Sequence, residues 1–164
     1  MDVNLVDLRN VKSKAEAKKL IAKNVAPIVI LLGHGNRDSF MGFSESMLRS
    51  IPNAKIVWIY ACECGLSLIN RIAPGYVCVL GYATEVLAQE TGESTVAHRL
   101  RQILQTYSGE MDPEKIIIIV QEGLLNHAMS ILSLARKKGE ENGWYLVQAA
   151  LVNHTRLSLR KVVA

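Results

Sequence analysis

The most constraining feature of the sequence is a series of short, almost continuous apolar runs, separated by stretches with helical periodicity. Such runs predict strands that are buried on both faces. Strands that alternate with helices build a mostly parallel sheet, because a parallel connection needs a crossover long enough to contain a helix. The predicted strands are Ile28–Leu32, Ile56–Tyr60 and residues 76–80, 116–120 and 144–151, and residues 3–8 are a candidate sixth strand.

Amphipathic helices are predicted between these strands. Apolar residues recur at helical spacing over 96–107 and 124–135, and we also expect helices over about 13–24 and 44–50. The sequence Asp-Pro-Glu at 112–114 predicts a helix or turn start ahead of the 116–120 strand. The tail from His154 onward fits an edge strand or a docking segment. We therefore expect an α/β fold with helices on both faces of a largely parallel sheet of five or six strands.

Length and composition favour a single domain over residues 1–164. The chain is 49% hydrophobic, which is enough to bury one large core. Its first ten residues carry charge throughout, and its longest apolar runs are too short to span a bilayer. Two of its three cysteines, Cys62 and Cys64, are too close in sequence for an ordinary disulfide, and the third is Cys78. We expect a cytoplasmic protein with no membrane partner.

The net charge of +4 arises mainly from lysine-rich and arginine-rich stretches at 12–23, 136–138 and 156–161. No aromatic residues are interleaved among these cations. Such stretches are typical of solvated helix faces, and nucleic acid is not an expected partner.

Two polar motifs follow neighbouring predicted strands. Gly-His-Gly (33–35) follows Ile28–Leu32, and Ala-Cys-Glu-Cys-Gly (61–65) follows Ile56–Tyr60. Open parallel sheets keep their sites at the carboxyl ends of their strands, so His34 and Cys62 would share one cleft if the two strands are adjacent. A thiol attacks as its thiolate and needs a base within reach, which a histidine supplies. The pair therefore predicts hydrolysis by a nucleophilic cysteine.

The glycines beside His34 predict a place where the backbone approaches a bound carbonyl group closely. The backbone amides of Gly35 and Cys62 are candidates for an oxyanion hole, because they lie beside the base and at the nucleophile.

The combination of apolar strand, His-Gly, helix, apolar strand and Ala-Cys-x-x-Gly resembles the caspase-like cysteine peptidases, and within them the CHAT group most. The continuation Ala-Pro-Gly (73–75), then YVCVLGYATEVLA, then an amphipathic helix is also similar, and the resemblance covers about residues 26–108. It implies a caspase-like three-layer sandwich, with His34 as general base, Cys62 as nucleophile and Gly35 lending its amide. It also implies a peptide or protein substrate and no cofactor.

The resemblance implies a pocket for the side chain before the cleaved bond, but the sequence does not identify it. Asp38, Glu63 and Glu85 are acidic candidates for recognising a basic residue, and nothing in the sequence selects among them. The chain is short for the family, so a substrate platform or a regulatory domain is expected from another protein.

Three other interpretations stay open. The sequence GHGNRD (33–38) is similar to the opening of the small cobaltochelatases of tetrapyrrole synthesis, where the histidine binds metal, although the other histidines here do not follow a predicted strand in the expected way. Cys62, Cys64 and His34 include zinc-binding atoms, but a fourth ligand is not evident. A caspase-like domain without activity would act as an interaction module, with the lysine-rich helix at 12–23 as a contact surface.

Cys64 is an alternative nucleophile. It lies two residues further from the strand end than Cys62, so we expect it in the turn or at the start of the next helix, and Cys62 is preferred.

Overall fold

A computed structural model describes residues 1–82, 95–109, 112–138 and 157–161. The described strands and helices, in chain order, are β1 (Val3–Asp7), α1 (Lys14–Ala22), β2 (Ile28–Leu32), α2 (Glu45–Arg49), β3 (Ile56–Tyr60), α3 (Leu68–Ile72), β4 (Cys78–Tyr82), α4 (Thr95–Thr106), α5 (Pro113–Lys138) and β5 (Leu157–Lys161). A short 3-10 helix, Ala73–Gly75, joins α3 to the segment before β4.

The described strands form one sheet in the order β1-β2-β3-β4-β5. The first four strands are parallel, and β5 pairs antiparallel with β4. The chain is therefore an α/β protein with a four-stranded parallel sheet, as the alternation of apolar runs and helical stretches predicts. The candidate sixth strand is β1, and the ambiguous tail contributes β5.

The sheet is buried on both sides. Every residue of β2, β3 and β4 is buried, because their side chains alternate between two apolar clusters. One cluster packs against α1, α2 and α3, and the other packs against α4 and α5. Full burial of one large aliphatic side chain contributes about 1.5–3 kcal/mol, so these three strands dominate the core.

The prediction of a strand at 116–120 is wrong, because these residues lie in the first turns of α5. The Asp112 side chain accepts a hydrogen bond from the Glu114 N–H at 3.0 Å, and the Asp112 carbonyl accepts one from the Ile116 N–H at 2.9 Å. Pro113 then supplies the backbone angle of a first helical residue. Ile116 and Val120 are buried at helical spacing while Ile118 is 53% exposed, a pattern that fits a helix and excludes a strand.

The other boundaries differ slightly from the sequence prediction. β4 begins at Cys78, because the 3-10 helix and the extended Tyr76 precede it, and β4 continues to Tyr82. The predicted strand at 144–151 lies outside the described residues. Within the described part of the chain, no helix combines the length and the apolar character needed to cross a membrane.

Candidate functional site

His34 and Cys62 follow two neighbouring parallel strands. β2 pairs with β3 in a register that ends with Leu32 opposite Tyr60, and each candidate residue comes two positions later. The Gly33 N–H donates to the Tyr60 carbonyl at 3.3 Å, which extends the pairing by one residue. The two motifs therefore leave the sheet side by side at its carboxyl edge.

The loop that carries His34 is a tight hairpin. The His34 carbonyl accepts a hydrogen bond from the Met41 N–H at 2.9 Å, and the His34 N–H points at the Met41 sulfur at 3.2 Å. Asn36 Oδ1 accepts from the N–H groups of Asp38 and Ser39, each at 2.9 Å. These bonds fix the backbone at His34, and its side chain is exposed.

This hairpin packs directly on the turn that carries the cysteines. A Cβ atom at Gly35 would lie 2.5 Å from Cys64 Sγ and 3.0 Å from Ala61 Cβ, so only glycine fits there without a shift. Cys64 Sγ also donates a hydrogen bond to the Ser39 carbonyl at 3.6 Å. The second glycine of Gly-His-Gly therefore allows the two loops to interlock.

The three cysteines differ in accessibility. Cys62 is half-buried, whereas Cys64 and Cys78 are fully buried. Burial raises the pKa of the Cys64 thiol to about 12, and the nearby Cys62 adds a smaller effect in the same direction. Cys64 is thus a protonated, packed thiol at neutral pH, and Cys62 is the more accessible of the two thiols.

The turn after Cys62 contains a strained residue. Glu63 has a φ of 53°, in the left-handed region that side chains other than glycine and asparagine rarely occupy. Such a conformation costs about 1–3 kcal/mol and tends to occur where function requires an unusual chain path. It reverses the chain immediately after the candidate nucleophile.

The far end of the same turn is fixed to β4. The Gly65 N–H donates to the Tyr82 carbonyl at 2.8 Å, and a Cβ atom at Gly65 would lie 2.7 Å from the Tyr82 carbonyl carbon. The Cys62 turn is therefore held between the His34 hairpin on one side and β4 on the other.

The three predicted pocket residues have different surroundings. Asp38 forms an ion pair with Arg71 at 3.2 Å, and Arg71 Nε also donates to Glu45 Oε1 at 2.5 Å. Hydrogen bonds from Ser67 and then from Arg71 lower the pKa of Asp38. Glu63 is half-buried beside Cys62. Glu85 lies outside the described residues.

Sequence reasoning missed Arg71 and also a charged pair at the end of β1. The Arg9 guanidinium donates to both carboxylate oxygens of Asp7, at 2.6–3.2 Å. Burial opposes ionisation of Asp7, but the hydrogen bonds from Arg9 outweigh it and lower its pKa. The sequence signal for this pair is Asp-x-Arg at the end of a strand. It was missed because residues 3–8 were only a candidate strand.

An aromatic cluster lies just inside the same edge. The rings of Tyr60 and Tyr82 meet edge to face at a centroid distance of 5.3 Å, and those of Trp58 and Tyr82 lie 6.3 Å apart. Burial raises the pKa of Tyr82 well above its ordinary value, and the nearby Trp58 N–H lowers it by less. Neither Trp58 Nε1 nor the Tyr82 hydroxyl makes a hydrogen bond of normal geometry within the described residues.

A groove of about 370 Å³ lies elsewhere, between α1 and the segment around α2. Lys18, Met47 and Pro52 are among its lining residues, and it contains neither His34 nor Cys62. Its volume is that of a small-molecule pocket.

The described side chains include no group of three or more histidine, cysteine, aspartate or glutamate residues that could hold a metal ion. The set of Cys62, Cys64 and His34 is therefore not arranged as a metal site. Cys64 is also directed into the contact with Gly35 and Ser39.

The fold and this edge together define an α/β protein in which two adjacent parallel strands lead into a histidine hairpin and a cysteine turn. The chain matches no protein-family model, and no curated protein or solved structure shows significant similarity to it.

Proposed function

We propose that this protein is a cysteine endopeptidase of the caspase-like type, with the three-layer sandwich of that group and a dyad of His34 and Cys62. The observation that carries the proposal is the parallel register of β2 and β3, which brings both motifs to the same edge of the sheet on adjacent strands. This is the arrangement that a base and a nucleophile need to share one substrate.

The accessibility of the two thiols supports the assignment of Cys62 over Cys64. Cys62 is partly accessible, while the thiol of Cys64 is buried with a pKa raised to about 12 by that burial. The left-handed Glu63 lies between the two cysteines and is the kind of strained residue found at active sites, so it supports a site at this turn without choosing between them.

The reaction begins when the His34 imidazole takes the proton of Cys62 Sγ. The thiolate attacks the carbonyl carbon of the scissile peptide bond, and the carbonyl oxygen becomes an oxyanion that the amides of Gly35 and Cys62 stabilise. The tetrahedral intermediate collapses with loss of the C–N bond, and His34 gives its proton to the leaving amine. Water, activated by His34, then hydrolyses the thioester and restores the Cys62 thiol.

One observation supports the role proposed for the Gly35 amide. The hydrogen bonds of the antiparallel bridge between Gly35 and Phe40 are made by the residues on either side of each, and not by the Gly35 N–H. Within the described part of the chain, the Gly35 N–H donates no hydrogen bond. It therefore needs no rearrangement of protein hydrogen bonds before it binds an oxyanion.

The proposed substrate is a peptide with a basic residue before the cleaved bond. Glu63 is the described acidic residue nearest in sequence to Cys62, and Glu85 is a further candidate. Asp38 is less suited, because Arg71 already engages its carboxylate. The peptide platform would come from a protein partner.

The test is the rate at which iodoacetamide modifies each cysteine, followed by mass spectrometry in the full chain and in His34→Ala. We expect fast modification of Cys62 near neutral pH, slow modification of Cys64 and Cys78, and at least a ~10-fold slower reaction of Cys62 without His34. His98→Ala is the matched control, since it removes an imidazole from α4 near Asp7 and leaves the hairpin unchanged. Cys62 modification at one rate in all three proteins would reject the dyad and favour an interaction module.

A peptidase assay completes the test. The parent chain is incubated with a library of fluorogenic peptides that carry different residues before the reporter, and Cys62→Ala and Cys64→Ala are assayed in parallel. We expect cleavage after lysine or arginine that Cys62→Ala abolishes and Cys64→Ala retains. Cleavage that survives in Cys62→Ala would overturn the mechanism.

A further inference from the structure

The outer face of α5 has an apolar stripe that no described part of the chain covers. Ile118, Leu125 and Met129 are 53%, 40% and 59% exposed. At the rotation of an ideal helix they lie within an arc of about 40°. The buried residues Ile116 and Val120 point to the opposite side, so the stripe faces away from the core.

The inner face of α5 is already occupied by α4. A Cβ atom at Gly123 would overlap the Ile103 side chain, so the two helices pack closely there. The stripe is thus a second contact face of α5 and is not needed to complete the described core. Apolar residues at this heptad-like spacing are typical of a surface that receives another helix.

Two charged residues within the stripe are arranged symmetrically. Glu122 and Arg136 are exposed and lie about two helical turns before and after Met129. Neither residue has an ion-pair partner within the described residues. Both lie on the face of Ile118, Leu125 and Met129 by helical rotation.

We propose that this stripe is the contact between two copies of the chain, which pair through antiparallel α5 helices about a two-fold axis near Met129. In that arrangement Glu122 of each copy meets Arg136 of the other copy, and Met129 meets its own equivalent. A parallel pair would oppose Glu122 to Glu122 and Arg136 to Arg136. The charge pattern therefore selects the antiparallel dimer, whose interface is isologous. This inference is independent of the proposed peptidase activity.

The experiment is sedimentation equilibrium of the full chain over a range of concentrations, with charge-reversal variants on the exposed face. We expect reversible dimerisation of the parent. Glu122→Arg and Arg136→Glu should each raise the dissociation constant at least ~10-fold, because each creates like-charge contacts. The double variant should return it to within about threefold of the parent, because the swapped charges again attract.

Two controls separate the interface from general effects of charge. Lys137→Glu makes the same charge change as Arg136→Glu but lies off the stripe by helical rotation, so it should leave the dissociation constant unchanged. Circular dichroism should give the same helical content for all variants, since every altered side chain is exposed. A monomeric parent at all concentrations would overturn the proposal. So would a dimer that the single reversals leave unchanged, or a double variant as weak as the single ones.

Discussion

Gly35 lies against the sulfur of Cys64, so close that a Cβ atom at position 35 would be 2.5 Å from Cys64 Sγ. This contact joins the hairpin of the proposed base to the turn of the proposed nucleophile. It gives the Cys-x-Cys spacing a structural meaning: the first cysteine is accessible for chemistry, and the second is the packing partner of the histidine loop.

Gly35→Ala should therefore destabilise the protein by about 1–3 kcal/mol, the usual cost of overpacking. The measurement is urea unfolding of the parent, Gly35→Ala, Cys64→Ala and the double variant. Removal of the sulfur makes room for the new methyl group, so the double variant should be more stable than the sum of the two single effects. Strict additivity would show that Gly35 and Cys64 do not share this contact.

Cys64 should make the stability fall at alkaline pH. Its pKa is about 12 in the folded protein against an ordinary value of 9.0, so its contribution is complete below pH 9 and is lost as the pH rises towards 12. The free energy of unfolding should fall with a slope of up to ~1.4 kcal/mol per pH unit from this group. Cys64→Ala should flatten the profile between these pH values, and Cys62→Ala, which removes the half-buried thiol, should leave that fall in place.

The strain at Glu63 should be measurable as stability. Glu63→Gly removes the Cβ atom that makes a φ of 53° unfavourable, and we expect a gain of about 0.5–1 kcal/mol in thermal or urea unfolding. Glu63→Ala is the matched control, because it removes the carboxylate and retains the Cβ atom. An equal gain in both variants would assign the effect to the loss of charge beside Cys62 and not to the backbone.

The ion pair of Asp38 and Arg71 should make the histidine hairpin sensitive to acid. The pKa of Asp38 is lower in the folded protein than its ordinary value of 3.8, so its contribution is present above pH 3.8 and is lost as the pH falls through the folded value. Asp38→Asn should lower the urea midpoint at pH 6 and have less effect near pH 2. Asp2→Asn, at an exposed position outside this network, should change neither midpoint; a constant effect of Asp38→Asn at both pH values would contradict the assignment.

The sequence alone predicted both ends of β2 and of β3. Buried strands such as Ile28–Leu32 and Ile56–Tyr60 have no polar residues, so their limits are marked by the glycine and cysteine motifs that follow. The adjacency of β2 and β3 was a condition of the shared cleft, and their parallel register shows that the two strands are neighbours.

The surroundings of the candidate site were less predictable, because they depend on contacts between distant segments. Arg71 and Asp38 form an ion pair although they are far apart in the sequence, and no local sequence pattern indicates that they meet. Cys62 and Cys64 differ because the hairpin buries Cys64. The distance of each cysteine from the strand end favours Cys62 as the accessible one, but it does not show this burial. The pocket residue cannot be chosen from sequence for the same reason.

The error at 116–120 has a different origin. Four isoleucines followed by valine favour a strand by intrinsic propensity, but a short apolar run does not distinguish a strand from a buried helix. The signal at Asp112 and Pro113 predicts a helix or turn start ahead of a strand, and in the structure it begins the helix that contains the run itself.

Because this run is helical, substitutions of isoleucines two positions apart should change the free energy of unfolding by different amounts. Ile116 is 1% exposed and belongs to the cluster beneath α4 and α5, so Ile116→Ala should cost about 2–4 kcal/mol of unfolding free energy. Ile118 is 53% exposed, and Ile118→Ala should cost less than about 0.5 kcal/mol when measured on the monomer at low concentration. In a strand buried on both faces, or with one face buried, positions 116 and 118 would respond alike because alternate residues share a face. Equal losses of unfolding free energy in the two variants would therefore favour a strand at 116–120 and would contradict the exposed stripe on α5.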